Sequence, residues 1–534
     1  MKPSLRAGYR RWLGALALAG TAVASGPVAA QDQQPLVIAR LLEINSLDPH
    51  RAFCDTCQIY LTATYQGLVA LGADNRSIEP LLATSWEINP DQTEFTFHLA
   101  EDAVFADGSP VEAKDVKWSF ERLKNIQGSP SFMMSGVAAI ETPDEHTVVV
   151  KMDAPNSEFL GILTAPYTIV VNSDVAAEAG ARAGADAVSA DTAEAWFLSH
   201  SAGSGPYVLD TYRVDDELRF KRNENFWGEA PPIAEIVIDH TADAVSQAQM
   251  LQSGAADIAM QIDPATAETI DSDEVVIETV PSFNFIYVAF SPGAEANRVP
   301  LTLEVRQALA FALDYDGIIE FTVGGEGNPQ ASPIPNGFPG TTDLPMPVED
   351  LDKARQMLAD AGLADGFDLD VVVASLNVYG VDLPLLMQKI QQDLARVNVT
   401  THIQPVASSV WREQIVKPGI PFTARFYAPD YYGSAQYVYF FGMIEDAYWL
   451  TNASGGQPES LINPREGELL EQALATADEA KREAIYHEIA LQMIADRIIV
   501  PVVSPNLVLA YRNNVAGVRY SACCNLPLAE LSLK

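Results

Sequence analysis

Val305-Arg306-Gln307-Ala308-Leu309-Ala310-Phe311-Ala312-Leu313-Asp314 sets Val305, Ala308, Leu309 and Ala312 on one face of a helix, the spacing that buries one stripe of a helix against a core. Just upstream, Phe283 to Phe290 is rich in aromatic and β-branched residues and predicts a strand. Downstream, Gly324 to Pro347 carries many Gly and Pro residues and predicts a long loop. The segment Asp350 to Ala361 then predicts a helix stopped at Gly362. Asn463-Pro464-Arg465-Glu466 supplies a capping residue, a first-turn proline and a third-position Glu ahead of Leu469. A helix from Asp478 to Ala495 and a buried strand from Ile498 to Val503 follow.

The N-terminal half alternates in the same way. Leu36 to Leu41, Phe95 to Leu99, Thr147 to Met152 and Ile233 to Asp239 read as strands. Ala179 to Ala195, rich in Ala, Gly and Asp, reads as a surface excursion or short helix. No repeat of solenoid period is present, and beyond the N-terminus no stretch approaches about eighteen consecutive apolar residues. The pattern is α/β with more than one lobe.

Composition narrows the class. The chain has 534 residues, 48% hydrophobic and 19% charged, with 33 basic against 71 acidic side chains and a net charge of −38. That length suits about three to four domain-sized units, and the apolar fraction is far too high for a disordered chain. The acidic excess excludes nucleic acid and anionic membrane as partners, since both need clustered Lys and Arg.

Residues 1–30 read as a cleavable secretory signal. Lys2, Arg6, Arg10 and Arg11 form a positive segment, Leu13 to Ala24 is apolar, and Val28-Ala29-Ala30 offers small residues before Gln31. Arg10-Arg11 also fits a twin-arginine signal. No Cys stands at the cleavage region to take a lipid anchor. The protein is expected in the periplasm.

Phe426, Tyr427, Tyr431, Tyr432, Tyr437, Tyr439, Phe440, Phe441, Tyr448 and Trp449 crowd ten aromatic residues into 426–449, where the chain as a whole has 9%. Half or more of them suit a core. With Asp430 interrupting and no clean period of 2 or 3.6, the run predicts a loop that presents aromatic faces to a ligand. Cys54, Cys57, Cys523 and Cys524 are the only cysteines. An even count in an oxidising compartment favours disulfides. Cross-pairing between the two pairs, or local Cys54–Cys57 and Cys523–Cys524 bonds, are both open. A thiolate metal site ranks below either, because the spacing fits no zinc motif, and no thioredoxin-like βαβ context accompanies the CxxC. GxSxG, GxGxxG and P-loop motifs are absent, and Tyr486-His487-Glu488 lacks the second His of a zinc helix. His50 is the one histidine near the expected cleft. No catalytic residue, metal or cofactor is expected.

Seven stretches in order resemble the solute-binding proteins of ABC importers, in their large peptide- and nickel-binding family. They are Ser46-Leu47-Asp48-Pro49-His50 with Tyr65-Gln66-Gly67-Leu68; Ile78-Glu79-Pro80 to Trp86-Glu87, with Phe95-Thr96-Phe97-His98-Leu99; Phe105-Ala106-Asp107-Gly108-Ser109-Pro110-Val111; Asp115-Val116-Lys117-Trp118-Ser119-Phe120-Glu121-Arg122; Gly203-Ser204-Gly205-Pro206-Tyr207, with Arg222-Asn223-Glu224-Asn225-Phe226-Trp227-Gly228; the Val305–Asp314 stretch; and Ala361-Gly362-Leu363-Ala364-Asp365-Gly366-Phe367. The resemblance implies a two-lobed periplasmic binding protein fold. Lobe I would comprise 35–75, 205–282 and 505–534, an extra subdomain 76–204, and lobe II 283–504. Phe283 to Phe290 and Pro501 to Leu509 would be two crossing strands acting as hinge. A monomer would capture a small peptide-like or amine-bearing solute between the lobes and deliver it to a permease in the inner membrane. The family's range also admits an opine, an oligosaccharide or a metal chelate. A secreted hydrolase is the alternative of another class.

The resemblance also implies the site. Peptide-binding members place an Asp three residues after an aromatic to pair with the ligand's ammonium, a spacing that Tyr427 and Asp430 match. Trp411 would wall the cleft, Phe53 and Asp55 would face it from lobe I, and Phe132 would reach it from the subdomain. Pro429 and Tyr431-Tyr432-Gly433 depart from the family pattern.

Overall fold

Leu36–Arg40 is buried almost throughout because it lies in the middle of a sheet, between parallel neighbours at Glu235–His240 and Ile258–Ala259. The structure is a computed structural model that describes residues 34–445, 447–453 and 461–534. The expected signal segment lies outside the described residues. Residues 35–534 form one compact unit.

Two large sheets organise that unit. The first has seven strands in the order Tyr207–Arg213, Glu217–Arg222, Glu235–His240, Leu36–Arg40, Ile258–Ala259, Leu507–Arg512 and Val275–Val280. The second has six, in the order Gly327–Asn328, Ile499–Pro505, Phe285–Phe290, Phe422–Tyr427, Phe367–Ala374 and Val399–Val406. A four-stranded antiparallel sheet, Ala83–Ile88, Glu94–Leu99, Thr147–Met152 and Val137–Asp144, packs under the helix Ala113–Asn125. It shares one hydrophobic core with the first sheet, and the second sheet has its own. The architecture is α/β and two-lobed.

The chain passes between the two large sheets twice, at residues 281–284 and at Asn506. The expected continuous strand Pro501–Leu509 is therefore two strands, because its halves pair with different sheets. Ser282 Oγ donates to the Pro505 carbonyl at 2.9 Å and Ser504 Oγ to that of Asn284 at 3.1 Å, which ties the two passages together.

The helix Leu303–Phe311 starts at Thr302, whose hydroxyl accepts from the Val305 N–H, and it buries Val305, Ala308 and Leu309. Asp350 caps Leu351–Asp360, and Gly362 follows with φ +77°, a conformation that favours glycine. Asn463 caps Pro464–Leu474, but Glu466 does not complete a capping box. Its buried carboxylate accepts the Met443 N–H at 2.7 Å, and burial with the neighbouring Asp496 holds its pKa far above the usual range. Ala179 to Ala195 contains one single-turn helix, Ala187–Ala190, and the start of a second, Glu194–Phe197. The aromatic run 426–449 is not one loop. It is the end of a strand, a connection, the helix Ala435–Phe441 and the start of Tyr448–Ala453. Its irregular spacing comes from joining these elements.

Two of the motif stretches meet at a buried charge cluster. Arg122 on the helix Ala113–Asn125 grips Asp48 with both terminal nitrogens at 2.7 and 2.6 Å, and its Nε reaches Asp191 at 2.9 Å. All three side chains are fully buried. His50, expected near the cleft, is instead packed into this cluster 3.2 Å from Arg122. Burial, reinforced by the Arg122 charge, keeps its pKa well below normal, so the ring stays neutral. Removing one member of such a cluster strands the other charges. Arg122→Ala is therefore expected to cost about 3–5 kcal/mol in chemical denaturation, and a loss below about 1 kcal/mol would show that the cluster does not hold the fold.

Candidate functional site

The helix Asp55–Thr64 begins at the cavity that lies between the two large sheets. Its N-cap is Cys54 and its first acidic residue is Asp55. The cavity has a volume of about 220 Å³ and is walled by Arg40, Phe53, Cys54, Asp55, Gln58 and Tyr167 on one side. Trp411, Arg425, Phe426, Tyr427, Asp430 and Phe440 are among the residues that close it from the other.

Asp55 is a saturated carboxylate. Arg40 Nη2 lies 3.0 Å from it, Tyr379 Oη donates to it at 3.3 Å, and the side-chain amide of Asn525 donates to the same oxygen as Tyr379. Its charge is neutralised within the protein, against the expectation that it would hold a ligand's cationic group. Asp430 is 2% exposed. It accepts from Gln58 Nε2 at 3.0 Å and from Tyr427 Oη at 3.0 Å, while its own N–H donates to Gln436 at 2.9 Å. Burial pushes its pKa up to about 7, against the lowering effect of the Tyr427, Gln58 and Tyr167 hydrogen bonds. Tyr427 and Asp430, singled out in the sequence by their spacing, are thus hydrogen-bonded to each other inside the protein.

Trp411 donates its indole N–H to Thr423 Oγ1 at 2.8 Å, which locks the ring. The Arg425 guanidinium sits over that ring at 4.3 Å and over Phe426 at 5.0 Å. Its Nη1 is buried without a hydrogen-bond partner, and no salt bridge to it exists among the described residues. Burial lowers its pKa, the sign of a cation short of compensation. The neighbouring Arg412 is already paired with Glu43 at 2.8 Å.

Phe53 lies half-buried at the cavity wall, with Tyr167 at 5.0 Å and Phe440 at 6.5 Å between ring centroids. Phe132 does not line the cavity. The short helical turn Ser129–Met134 puts its ring edge-on behind Phe53 at 6.2 Å. Cys54 and Cys57 are joined. Cys523 and Cys524 are free thiols 3.2 Å apart, which corrects both the cross-paired and the vicinal expectation for them. Adjacent Cα atoms stand only about 3.8 Å apart, short of the usual disulfide span of about 4.4–6.8 Å. Among the described residues no group of three or more His, Cys, Asp and Glu could hold a metal, and no helix is long and apolar enough to cross a membrane.

The residues that sequence reasoning missed are Arg40, Gln58, Tyr167, Tyr379 and Arg425. Arg425 had a signal: it is the lone charge in Phe422-Thr423-Ala424-Arg425-Phe426-Tyr427, a run that otherwise reads as a buried strand. The others are ordinary helix, strand and loop residues until folding brings them together.

This geometry belongs with a known class. Residues 77–445 match the family model for the bacterial extracellular solute-binding proteins, family 5. The chain is 26% identical over 499 residues to the probable D,D-dipeptide-binding periplasmic protein DdpA of Escherichia coli K12, covering 92% of each. It is 26% identical over 522 residues to the glutathione-binding protein GsiB of Pectobacterium atrosepticum, covering 95% of each. The crystal structure of a dipeptide-binding protein from Pseudoalteromonas sp. SM9913 in complex with Met-Leu superposes with a TM-score of 0.83 at 21% identity, over 94% of this chain and 100% of that one. The chain belongs to the family 5 extracellular solute-binding proteins and has their two-lobed fold.

The raised pKa of Asp430 has a stability signature. Between the ordinary carboxyl value of 3.8 and about 7 the folded protein keeps a proton that the unfolded chain has released. Stability therefore falls as pH rises through that window, by up to about 1.4 kcal/mol per pH unit, and levels off above it. Denaturation of wild type and Asp430→Asn at pH 5, 6, 7 and 8 should show this slope as a difference between them, and parallel curves would contradict it.

Proposed function

We propose that this protein is the periplasmic capture component of an ABC importer for a small zwitterionic, peptide-like solute, which it binds without turnover. The observation that carries the reading is Arg425, a cation held over Trp411 in the cavity with Nη1 unpaired. A ligand carboxylate would complete its shell with charge-assisted hydrogen bonds. Asp430 would take the ligand's ammonium as it gives up its own proton, and Phe53 and Tyr427 would cover the apolar body between them. The relatives named for dipeptides and glutathione bind solutes of this kind. An opine also carries both charges. An oligosaccharide lacks the anion that Arg425 calls for.

Capture would proceed by closure of lobe I (35–75, 205–282 and 505–534) and its subdomain (76–204) on lobe II (283–504), about the passages at 281–284 and Asn506. The closed monomer would then deliver its cargo to the inner-membrane permease, and a cleaved N-terminal signal would place it there. A secreted hydrolase would need an activated nucleophile facing the cavity, and its wall offers none of the Ser–His or Cys–His pairs that such chemistry uses.

Calorimetric titration of the purified protein with a panel of dipeptides tests the reading. A dipeptide that binds should lose about 10–100-fold in affinity with Arg425→Gln, the worth of a charged hydrogen bond. C-terminal amidation should cost wild type a similar factor and the variant almost nothing. Affinity should rise with pH up to about 7, because below it the Asp430 proton must be displaced. Turnover of the panel, or equal binding of amidated peptides by wild type, would refute the proposal.

A further inference from the structure

The CxxC bridge occupies an uncommon place for a structural disulfide. It closes a loop with a sequence separation of only 3, the kind that constrains the unfolded chain least. Cys54 is the N-cap of the ten-residue helix Asp55–Thr64, and Cys57 lies one turn inside it. Cys54 is partly exposed and forms part of the cavity wall, whereas Cys57 is 0% exposed and does not line the cavity. A solute in the cavity therefore meets the bridge at Cys54, with Cys57 behind it.

This is the arrangement that thiol–disulfide exchange requires. An attacking thiolate adds to one sulfur and expels the other. The Cys57 N–H donates to Cys54 Sγ at 3.0 Å, so the helix N-terminus serves the Cys54 sulfur, and the buried Cys57 would leave by taking up a proton. Asn45 Oδ1 at 3.3 Å and the Ser46 carbonyl at 3.5 Å stand ready to accept from it once it is a thiol. The adjacent Asp55 does not repel an incoming anion, since Arg40 neutralises it. Arg425, which lines the same cavity and has no salt bridge among the described residues, suits an anionic ligand.

We propose that the cavity captures thiols that also carry a carboxylate, by reversible exchange with the Cys54–Cys57 disulfide. The thiolate forms a bond to Cys54 Sγ, the Cys54–Cys57 bond breaks, and the electron pair leaves on Cys57 Sγ, which takes up the proton that the solute thiol gave up. One disulfide replaces another, so no outside oxidant or reductant is consumed. Attack of Cys57 on the mixed disulfide reverses the step and releases the solute. This inference rests on the solute-binding reading and specifies a ligand class for the same cavity.

The test incubates the purified, oxidised protein with reduced glutathione, quenches with N-ethylmaleimide and measures intact mass and tryptic peptides. The expected product carries one glutathione on Cys54 and one maleimide on Cys57, counted apart from any maleimide on the free Cys523 and Cys524, which untreated protein also shows. At equal thiolate concentration glutathione should react at least tenfold faster than 2-mercaptoethanol, which has no carboxylate. S-Methylglutathione, which fills the cavity but cannot exchange, should protect, and Arg425→Gln should erase the tenfold advantage. Glutathione attached to Cys57, equal rates for the two thiols, or no adduct would each overturn the exchange. Calorimetry with S-methylglutathione separates the two readings: binding without any adduct from the free thiol would leave solute capture standing while the exchange falls.

Discussion

A charge taken out of water has to find a partner inside the protein, and this constraint organises the molecule. Arg122 is fully buried and is met by Asp48 and Asp191, also fully buried. Because Asp48 lies only a few residues before Phe53, Cys54 and Asp55, the cluster anchors the segment that turns into the cavity wall. Arg40 and Asp55 obey the same rule at the cavity itself. Arg425 departs from it, a guanidinium resting on aromatic faces with a buried nitrogen left unmatched. Set against the paired charges around it, this cation is the feature on which the proposed capture of an anionic solute rests.

The two halves of the protein meet through a small number of polar contacts around that cavity. Gln58 from the first half holds Asp430 of the second, Tyr379 reaches back to Asp55, and Arg412 pairs with Glu43. Glu158, buried beside the four-stranded sheet, accepts the backbone N–H groups of Ser434 and Ala435 at 3.2 and 3.1 Å, at the start of the helix Ala435–Phe441. Tyr431, one residue beyond Asp430, packs into the core of the opposite half. The connection between Tyr427 and Ser434 is thus gripped by both halves. Pro429 and Tyr431-Tyr432-Gly433 all lie within it.

Much of the local structure was legible from residue pattern because local forces decide it. The helices at Leu303–Phe311, Leu351–Asp360 and Pro464–Leu474 carry their own periodicity and caps. Long-range partnership was illegible. Glu466 looked like part of a capping box, yet its carboxylate serves Met443 and Asp496 instead. His50 sat in a stretch expected at the cleft, but the Arg122 that buries it is 72 residues away in sequence. The aromatic run seemed to be one ligand-facing loop, because spacing alone does not reveal that it joins a strand to two helices.

The sequence by itself determined the α/β alternation, the acidic character and the seven stretches that mark the family, since each depends on residues near one another in the chain or on composition alone. It also put Trp411, Tyr427, Asp430, Phe53 and Asp55 forward as candidates, all of which line one cavity. Only the tertiary structure decided their electrical roles. Asp55 and Asp430 are equal as letters, but Arg40 neutralises the first and burial pushes the pKa of the second up to about 7. Arg425 becomes conspicuous only when every neighbouring charge is seen to be paired elsewhere. Protonation and pairing depend on which groups the fold brings within a few ångströms and on how much water it leaves beside them, and neither is written in the order of the residues.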